Sequence, residues 1–158
     1  MNNIQLSPIG QIVNQSGIVQ VVLAPRYAAG LKGLSGFGHV QILWWMNACD
    51  TPSARATLRE AKPYTHGPAE LGVFALRSPE RPNPVAATTA AIAFVDEAEG
   101  IIGLHWIDAF DGSPVLDLKP YTPSLDRVER PATPAWCAHW PRSCEESATF
   151  DWAAEFNF

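Results

Sequence analysis

A mainly β fold is what this sequence predicts, on three observations. Short apolar runs alternate with Gly, Pro, Asn and Asp; 14 prolines and 11 glycines punctuate the chain; and several of the runs are rich in β-branched residues. At 158 residues the chain has the size of one ordinary domain, able to bury roughly two thirds of the surface it exposes when unfolded.

The candidate strands, in order, are Ile9 to Val13, Ile18 to Leu23, His39 to Met46, Gly72 to Leu76, Val85 to Val95, Ile101 to Ile107 and Pro114 to Leu118. One helix is expected, over Thr51 to Ala61: Thr51 can cap it, Pro52 suits its first turn, and Ala54, Ala56, Leu58 and Ala61 favour helix. Pro120 to Pro141 holds five prolines and reads as an extended, ordered tail. Trp136 and Trp140 lie near its end, and Phe150, Trp152, Phe156 and Phe158 follow it. Each such ring can bury about 150–250 Å², so together they should clamp the tail onto the body or onto a second subunit.

Hydrophobic residues make up 47% and charged residues 17%, which excludes a disordered chain. The longest apolar stretches, such as Val40 to Met46, are far short of the ~20 residues a membrane helix needs, and the polar start from Met1 to Gln5 is no signal peptide. A soluble cytoplasmic protein is the default reading. Cys49, Cys137 and Cys144 fit reduced thiols better than a disulfide framework. No metal is expected either: Cys137-Ala-His139 followed by Cys144, with His105 or Cys49 as a further ligand, is not a standard zinc spacing.

A net charge of −5 argues against a protein that lives on a phosphate backbone, but the charge is split. Up to Arg81, seven Lys/Arg face four Asp/Glu, a surplus of three positive charges; from Pro82 onward, four face twelve, a surplus of eight negative. Such a split can set a basic, anion-receiving face beside an acidic one.

Three segments carry chemistry. In Gly72-Val-Phe-Ala-Leu-Arg-Ser-Pro-Glu-Arg-Pro-Asn-Pro-Val85, an apolar strand delivers Arg77 and Ser78 into a turn stiffened by Pro79, Pro82 and Pro84, with Arg81 and Asn83 displayed on it. Two guanidiniums on such a turn can grip a carboxylate or phosphate; equally, Arg81 and Asn83 can serve only to satisfy turn carbonyls. In Asp111-Gly-Ser-Pro-Val-Leu-Asp-Leu-Lys-Pro-Tyr121, strand alternation puts Val115, Asp117 and Lys119 on one side. That is either an edge-strand ion pair or a site for a cation and an acceptor. The glycines at 30, 33, 36 and 38 in the third segment do not spell a dinucleotide fingerprint. They open a loop into a strand whose first residue, His39, is a core histidine or a site residue.

These phrases, Leu31-Lys-Gly-Leu…Phe37-Gly-His39, the Arg-Pro-Asn-Pro block and the Asp-Gly-Ser-Pro-Val-Leu-Asp-Leu-Lys-Pro-Tyr block, together resemble the signature blocks of the TsaA-like (TrmO) methyltransferase family. The resemblance spans about Leu6 to Asp126. It implies a compact β-barrel-like domain over residues 1–130; the proline and aromatic pattern adds a tail over 131–158 packed on that domain or on a dimer partner. It further implies S-adenosylmethionine as cofactor, a homodimer, and methylation of N6 of threonylcarbamoyladenosine beside the tRNA anticodon. The positions that carry over are Arg77, Ser78, Arg81, Asn83, Pro84, Lys119 and His39 for the cofactor, and Asp117, Asp111 and Tyr121 for catalysis. Asp117 is the first candidate to accept the hydrogen of the acceptor amine, with Asp111 second, and Tyr121 can receive the unstacked base. Two other readings stand beside it: a small-molecule acceptor, which suits the acidic charge, and a non-catalytic S-adenosylmethionine-binding protein.

Overall fold

The computed structural model describes residues 4–157; the first three residues of the polar start, and Phe158 of the aromatic tail, lie outside them. The described strands are β1 (Gly10–Gln15), β2 (Ile18–Leu23), β3 (His39–Trp45), β4 (Arg59–Ala61), β5 (Glu70–Gly72), β6 (Val85–Asp96), β7 (Ile101–Leu104) and β8 (Pro114–Pro120). The α-helices are short: α1 (Pro52–Ala56), α2 (Pro123–Asp126), α3 (Cys144–Ser147) and α4 (Trp152–Glu155). They fall into two units, Met1–Asp50 with Pro84–Arg127, and Thr51–Asn83 with Val128–Phe158. The segment 51–83 thus packs with the chain after residue 127, where the sequence reading groups it with the strands on either side.

The first unit is a closed barrel of antiparallel strands in the order β1-β2-β7-β6-β3-β8, with β8 returning to β1. Closure removes the sheet edges that an open sheet would have to protect. The β1–β2 hairpin turns on Ser16 and Gly17, whose positive φ values of 54° and 78° suit the twist of a two-residue turn. Ile12, Val21, Val40, Ile42, Ile102 and Val115 point inward from six positions around the wall and are fully buried. In β3 the inward residues Val40, Ile42 and Trp44 alternate with the half-buried His39, Gln41, Leu43 and Trp45, as a strand with one covered face requires.

At Gly10, β1 lies close against the backbone of β2. A Cβ there would stand 2.3 Å from the Val22 carbonyl oxygen and 2.8 Å from the Leu23 Cα. Both are backbone atoms of β2 and cannot swing aside. Gly10→Ala is therefore expected to destabilise the protein by about 1–3 kcal/mol, read as a lowered denaturation midpoint; an unchanged midpoint would mean that β1 can slide.

β8 departs from the expected alternation. Its pairing with β3 runs Lys119 to Gln41, Leu118 to Ile42 and Asp117 to Leu43, then skips to Val115 opposite Trp44. Leu116 is the extra residue of a bulge, and one extra residue reverses the parity of everything before it. Val115 accordingly lies in the core, whereas Asp117 and Lys119 share the outer face. The grouping of Val115 with Asp117 and Lys119 on one side is corrected on this point.

β7 ends at Leu104, short of the expected Ile107: His105 N still donates to the Ala91 carbonyl of β6 at 3.1 Å, and beyond it the carbonyls turn to a side chain. Asn14 Nδ2 donates to the carbonyls of Ile107 and Ala109, at 3.4 and 2.8 Å.

In the second unit, Thr51 caps α1 as expected, its Oγ1 accepting from Ala54 N at 3.2 Å. The helix ends at Ala56, not Ala61. Arg59–Ala61 pairs with Glu70–Gly72 as a two-stranded ribbon, and this tertiary pairing overrides the helix preference of the alanines. The expected strand Gly72 to Leu76 is also corrected: only Gly72 is in β5, and Val73–Ala75 forms a 3₁₀ turn. Val73 and Leu76 are both buried because residues three apart eclipse one another in such a turn.

The tail carries short helical turns at Pro123–Asp126, Ala135–Cys137, Cys144–Ser147 and Trp152–Glu155, with an exposed, irregular stretch over 127–134. Its described aromatics gather around Tyr64. The Tyr64 ring stacks on Trp136 (5.4 Å between centroids), meets Trp140 edge-on (4.9 Å) and lies against Phe156 (5.8 Å). Trp152 extends the cluster through Trp140, Phe150 and Phe156.

Candidate functional site

Within the barrel unit, the end of β8 and the start of β3 gather four of the sequence-derived site residues. Lys119 Nζ donates to Asp117 Oδ2 at 2.7 Å on the outer face. That hydrogen bond, and then the Asp117 charge, hold the Lys119 ammonium above the ordinary lysine range. Tyr121 N donates to the His39 carbonyl at 3.1 Å, and the two rings meet edge-on at 6.2 Å. Asp126 closes this corner: its carboxylate accepts from Gln41 Nε2 at 3.1 Å and from Thr122 N at 2.6 Å, tying the chain after Tyr121 back to β3.

Asp111 is placed differently. Its two carboxylate oxygens accept from Asn14 N and Gln15 Nε2, each at 3.0 Å, at the β1 end of the hairpin. It fastens β1 to the chain entering β8, while Gly112 (φ 78°) turns that chain.

Within the second unit, the proline-braced turn is held from inside. Arg81 Nη2 donates to the Val73 and Leu76 carbonyls, the latter at 2.7 Å, and so caps the 3₁₀ turn that positions Arg77. Ser78 is buried, its hydroxyl donating to Glu60 on β4. Arg55 Nη1 donates to the Pro82 carbonyl at 3.2 Å. Arg77 and Asn83 are exposed. Of the two roles open to Arg81 in the sequence, gripping an anion or satisfying turn carbonyls, its Nη2 performs the second here. Replacing Arg81 by Met leaves two turn carbonyls without donors, and a loss of about 1–3 kcal/mol of stability is expected. Thermal denaturation checks it, and a variant as stable as the parent would show the clamp to be dispensable. Pro84 is buried in the barrel unit, where its carbonyl accepts from Met46 N at 2.8 Å.

Two residues that sequence reasoning did not single out, Glu155 and His66, stand out in the second unit beside His139. Glu155 is 3% exposed, and its Oε2 lies 3.0 Å from both His66 Nδ1 and His139 Nε2. Burial pushes this carboxyl up, but the hydrogen bonds from His139 and His66, with Trp140 beside it, prevail and hold it down at about 2. The sequence brings His139 forward only with Cys137 and Cys144; Glu155 and His66 lie too far apart along the chain to mark the group. The thiol of Cys137 turns instead to the Pro134 carbonyl at 3.3 Å.

With this geometry in place, comparison with known proteins is informative. Residues 2–127 match the tRNA-methyltransferase O N-terminal domain family. An S-adenosyl-L-methionine-binding protein of Archaeoglobus fulgidus is 34% identical over 113 residues, covering 72% of this chain and 76% of that protein. The tRNA (adenine(37)-N6)-methyltransferase of Escherichia coli is 33% identical over 121 residues, covering 75% of this chain but 51% of the bacterial enzyme. The crystal structure of TrmO from Pseudomonas aeruginosa aligns with a TM-score of 0.64 at 26% identity, over 85% of this chain and 62% of that one. The chain therefore spans about half of the Escherichia coli enzyme and about three fifths of the Pseudomonas aeruginosa one.

Proposed function

The chain belongs to the tRNA-methyltransferase O N-terminal domain family, and we propose that it binds S-adenosylmethionine and methylates N6 of adenosine 37 of tRNA, with the threonylcarbamoyl-modified base as acceptor. It works in this reading as a cytoplasmic homodimer. The observation that carries the proposal is the match of residues 2–127, which takes in the arginine turn and the Asp117 strand together. The described residues contain no helix long and apolar enough to cross a membrane.

The donor chemistry of these residues fits the cofactor. Its carboxylate asks for guanidinium and amide donors, which Arg77 and Asn83 offer from an exposed turn that Arg81 and Ser78 hold in shape. In the barrel unit, the Asp117 and Lys119 pair offers acceptor and donor groups on the outer face that His39 borders. When bound, the cofactor supplies an electrophilic methyl carbon on a sulfonium. Arg81, Ser78 and Pro84 act as positioning residues.

An exocyclic adenine amine is a weak nucleophile, and its nitrogen gains positive charge as its bond to carbon forms. Asp117 accepts an N6 hydrogen, aims the lone pair and takes the proton released. Lys119 fixes the carboxylate through its 2.7 Å bond. Tyr121, braced by His39, offers a ring face to a base drawn out of the anticodon loop. Asp111 holds the β1 corner, and both its oxygens are already engaged. Alignment and exclusion of water supply most of the remaining rate.

Transfer of radioactive methyl to unmodified and to threonylcarbamoylated tRNA tests the proposal. Incorporation into the modified tRNA is expected, and none into either would sink it. The net charge of −5, concentrated after Arg81, favours a second reading in which the acceptor is a small molecule. Salt separates the two: an RNA acceptor loses affinity steeply as salt rises, and a neutral metabolite does not.

A further inference from the structure

We propose that His66, His139 and Glu155 form a binding site for a divalent transition metal of the zinc class, with one coordination position open to solvent. All three lie in the second unit, and two of them lie beyond the residues that match the family.

Three segments build the site, and the backbone locks them together. Thr65 N donates to the Glu155 carbonyl at 2.8 Å, Thr65 Oγ1 to the Ala154 carbonyl at 2.9 Å, and Asn157 Nδ2 to the Lys62 carbonyl at 2.9 Å. Tyr64 and Phe156 pair as an isolated β-bridge on either side. Glu155 at the end of α4 is thereby held against the loop that carries His66. His139 follows the 3₁₀ turn Ala135–Cys137, which the Trp136 and Trp140 rings pin to Tyr64.

The ligand atoms, one from each residue, all lie within 4.8 Å of one another. A tetrahedral zinc with bonds of about 2.0–2.2 Å needs its ligand atoms roughly 3.3 Å apart. The two Glu155 contacts at 3.0 Å already stand close to this. The remaining separation closes by rotation of two imidazoles whose side chains are 62% and 41% exposed. The site is therefore rigid at its buried carboxylate and adjustable at its rim.

The carboxylate also carries an imbalance that a metal would resolve. Oε2 has two histidine partners, while the buried Oε1 has only the Trp140 indole beside it, outside good hydrogen-bond geometry. Leaving a buried carboxylate oxygen so weakly bonded is costly. An ion on this carboxylate would satisfy it with charge. Two imidazoles and one carboxylate with a vacant position are the donor set of an open zinc site rather than a closed structural one. A groove of about 550 Å³, lined by His139, Trp140, Arg142, Glu146 and Phe150, provides access for water or a further ligand.

The test uses the full chain, freed of any affinity tag and stripped with a chelator. Zinc titration with metal analysis after desalting is expected to give one ion per chain. A visible spectrum of tetrahedral intensity is expected when cobalt replaces zinc. His66→Ala and His139→Ala, at exposed side chains, should leave the fold intact by circular dichroism. Since loss of an outer-shell partner alone costs about 10–100-fold in metal affinity, each should weaken zinc by more than tenfold. Cys137→Ser and Cys144→Ser should bind as the parent does. Failure of the folded parent to retain zinc overturns the proposal, as does parental affinity in both histidine variants or loss of zinc in the cysteine variants. None of these outcomes depends on methyl transfer.

Discussion

Asp117→Asn is expected to lower methyl transfer by about 10²–10⁴-fold, the usual worth of a positioned acid or base, while leaving the affinity for S-adenosylmethionine nearly unchanged. The substitution keeps size and shape and removes only the charge that takes the N6 proton. It also discriminates well between chemistry and folding. Asp117 and Lys119 are 47% and 58% exposed, and an exposed ion pair adds little to stability. The variant therefore folds, and a lost rate reports on the reaction. The pattern that matches the proposal is a fall in kcat with the cofactor dissociation constant preserved. A rate within threefold of the parent would reduce Asp117 to Lys119's surface partner, and the base would have to be sought elsewhere. Arg77→Ala supplies the converse: calorimetry should show cofactor binding lost, and binding as in the parent would remove Arg77 from the cofactor's contacts.

The barrel was legible in the sequence wherever one face of a strand is covered and the other is not. β2 coincides with the expected Ile18 to Leu23, and β3 and β6 begin where expected and differ by one residue at their ends. What escaped the sequence is what depends on partners distant along the chain. Val73 and Leu76 look like strand residues until the 3₁₀ turn, capped by Arg81, sets them one above the other. Thr51 to Ala61 has a helical composition, but Arg59–Ala61 finds a strand partner in Glu70–Gly72. The bulge at Leu116 moves Val115 into the core without altering any local propensity. The candidate site was legible to a matching degree. His39, Asp117, Lys119 and Tyr121 lie together on two paired strands. The group at Glu155 was invisible because 89 residues separate it from His66.

Tyr64→Ala is expected to be the most damaging single change to the second unit. Tyr64 is 5% exposed and touches Trp136, Trp140 and Phe156, so its truncation leaves a cavity at the centre of the aromatic cluster. A large aromatic cut to alanine in a packed core costs about 3–5 kcal/mol. Three of the six tryptophans sit in this cluster, so intrinsic fluorescence follows its melting directly. The phenol carries a second signature. Burial raises its pKa, with the Glu60 carboxylate adding to the effect. A group whose pKa is raised on folding contributes stability that is fully present below its unfolded value, about 10 for tyrosine, and that is lost as pH rises through the folded value. Among the three tyrosines, one should therefore ionise late in an alkaline absorbance titration, and the cluster should loosen as it does. Tyr64→Phe keeps the ring contacts and should abolish the late phase while retaining most of the stability. A late phase that persists in Tyr64→Phe, or a Tyr64→Ala protein whose fluorescence midpoint matches the parent, would show that another residue anchors the tail.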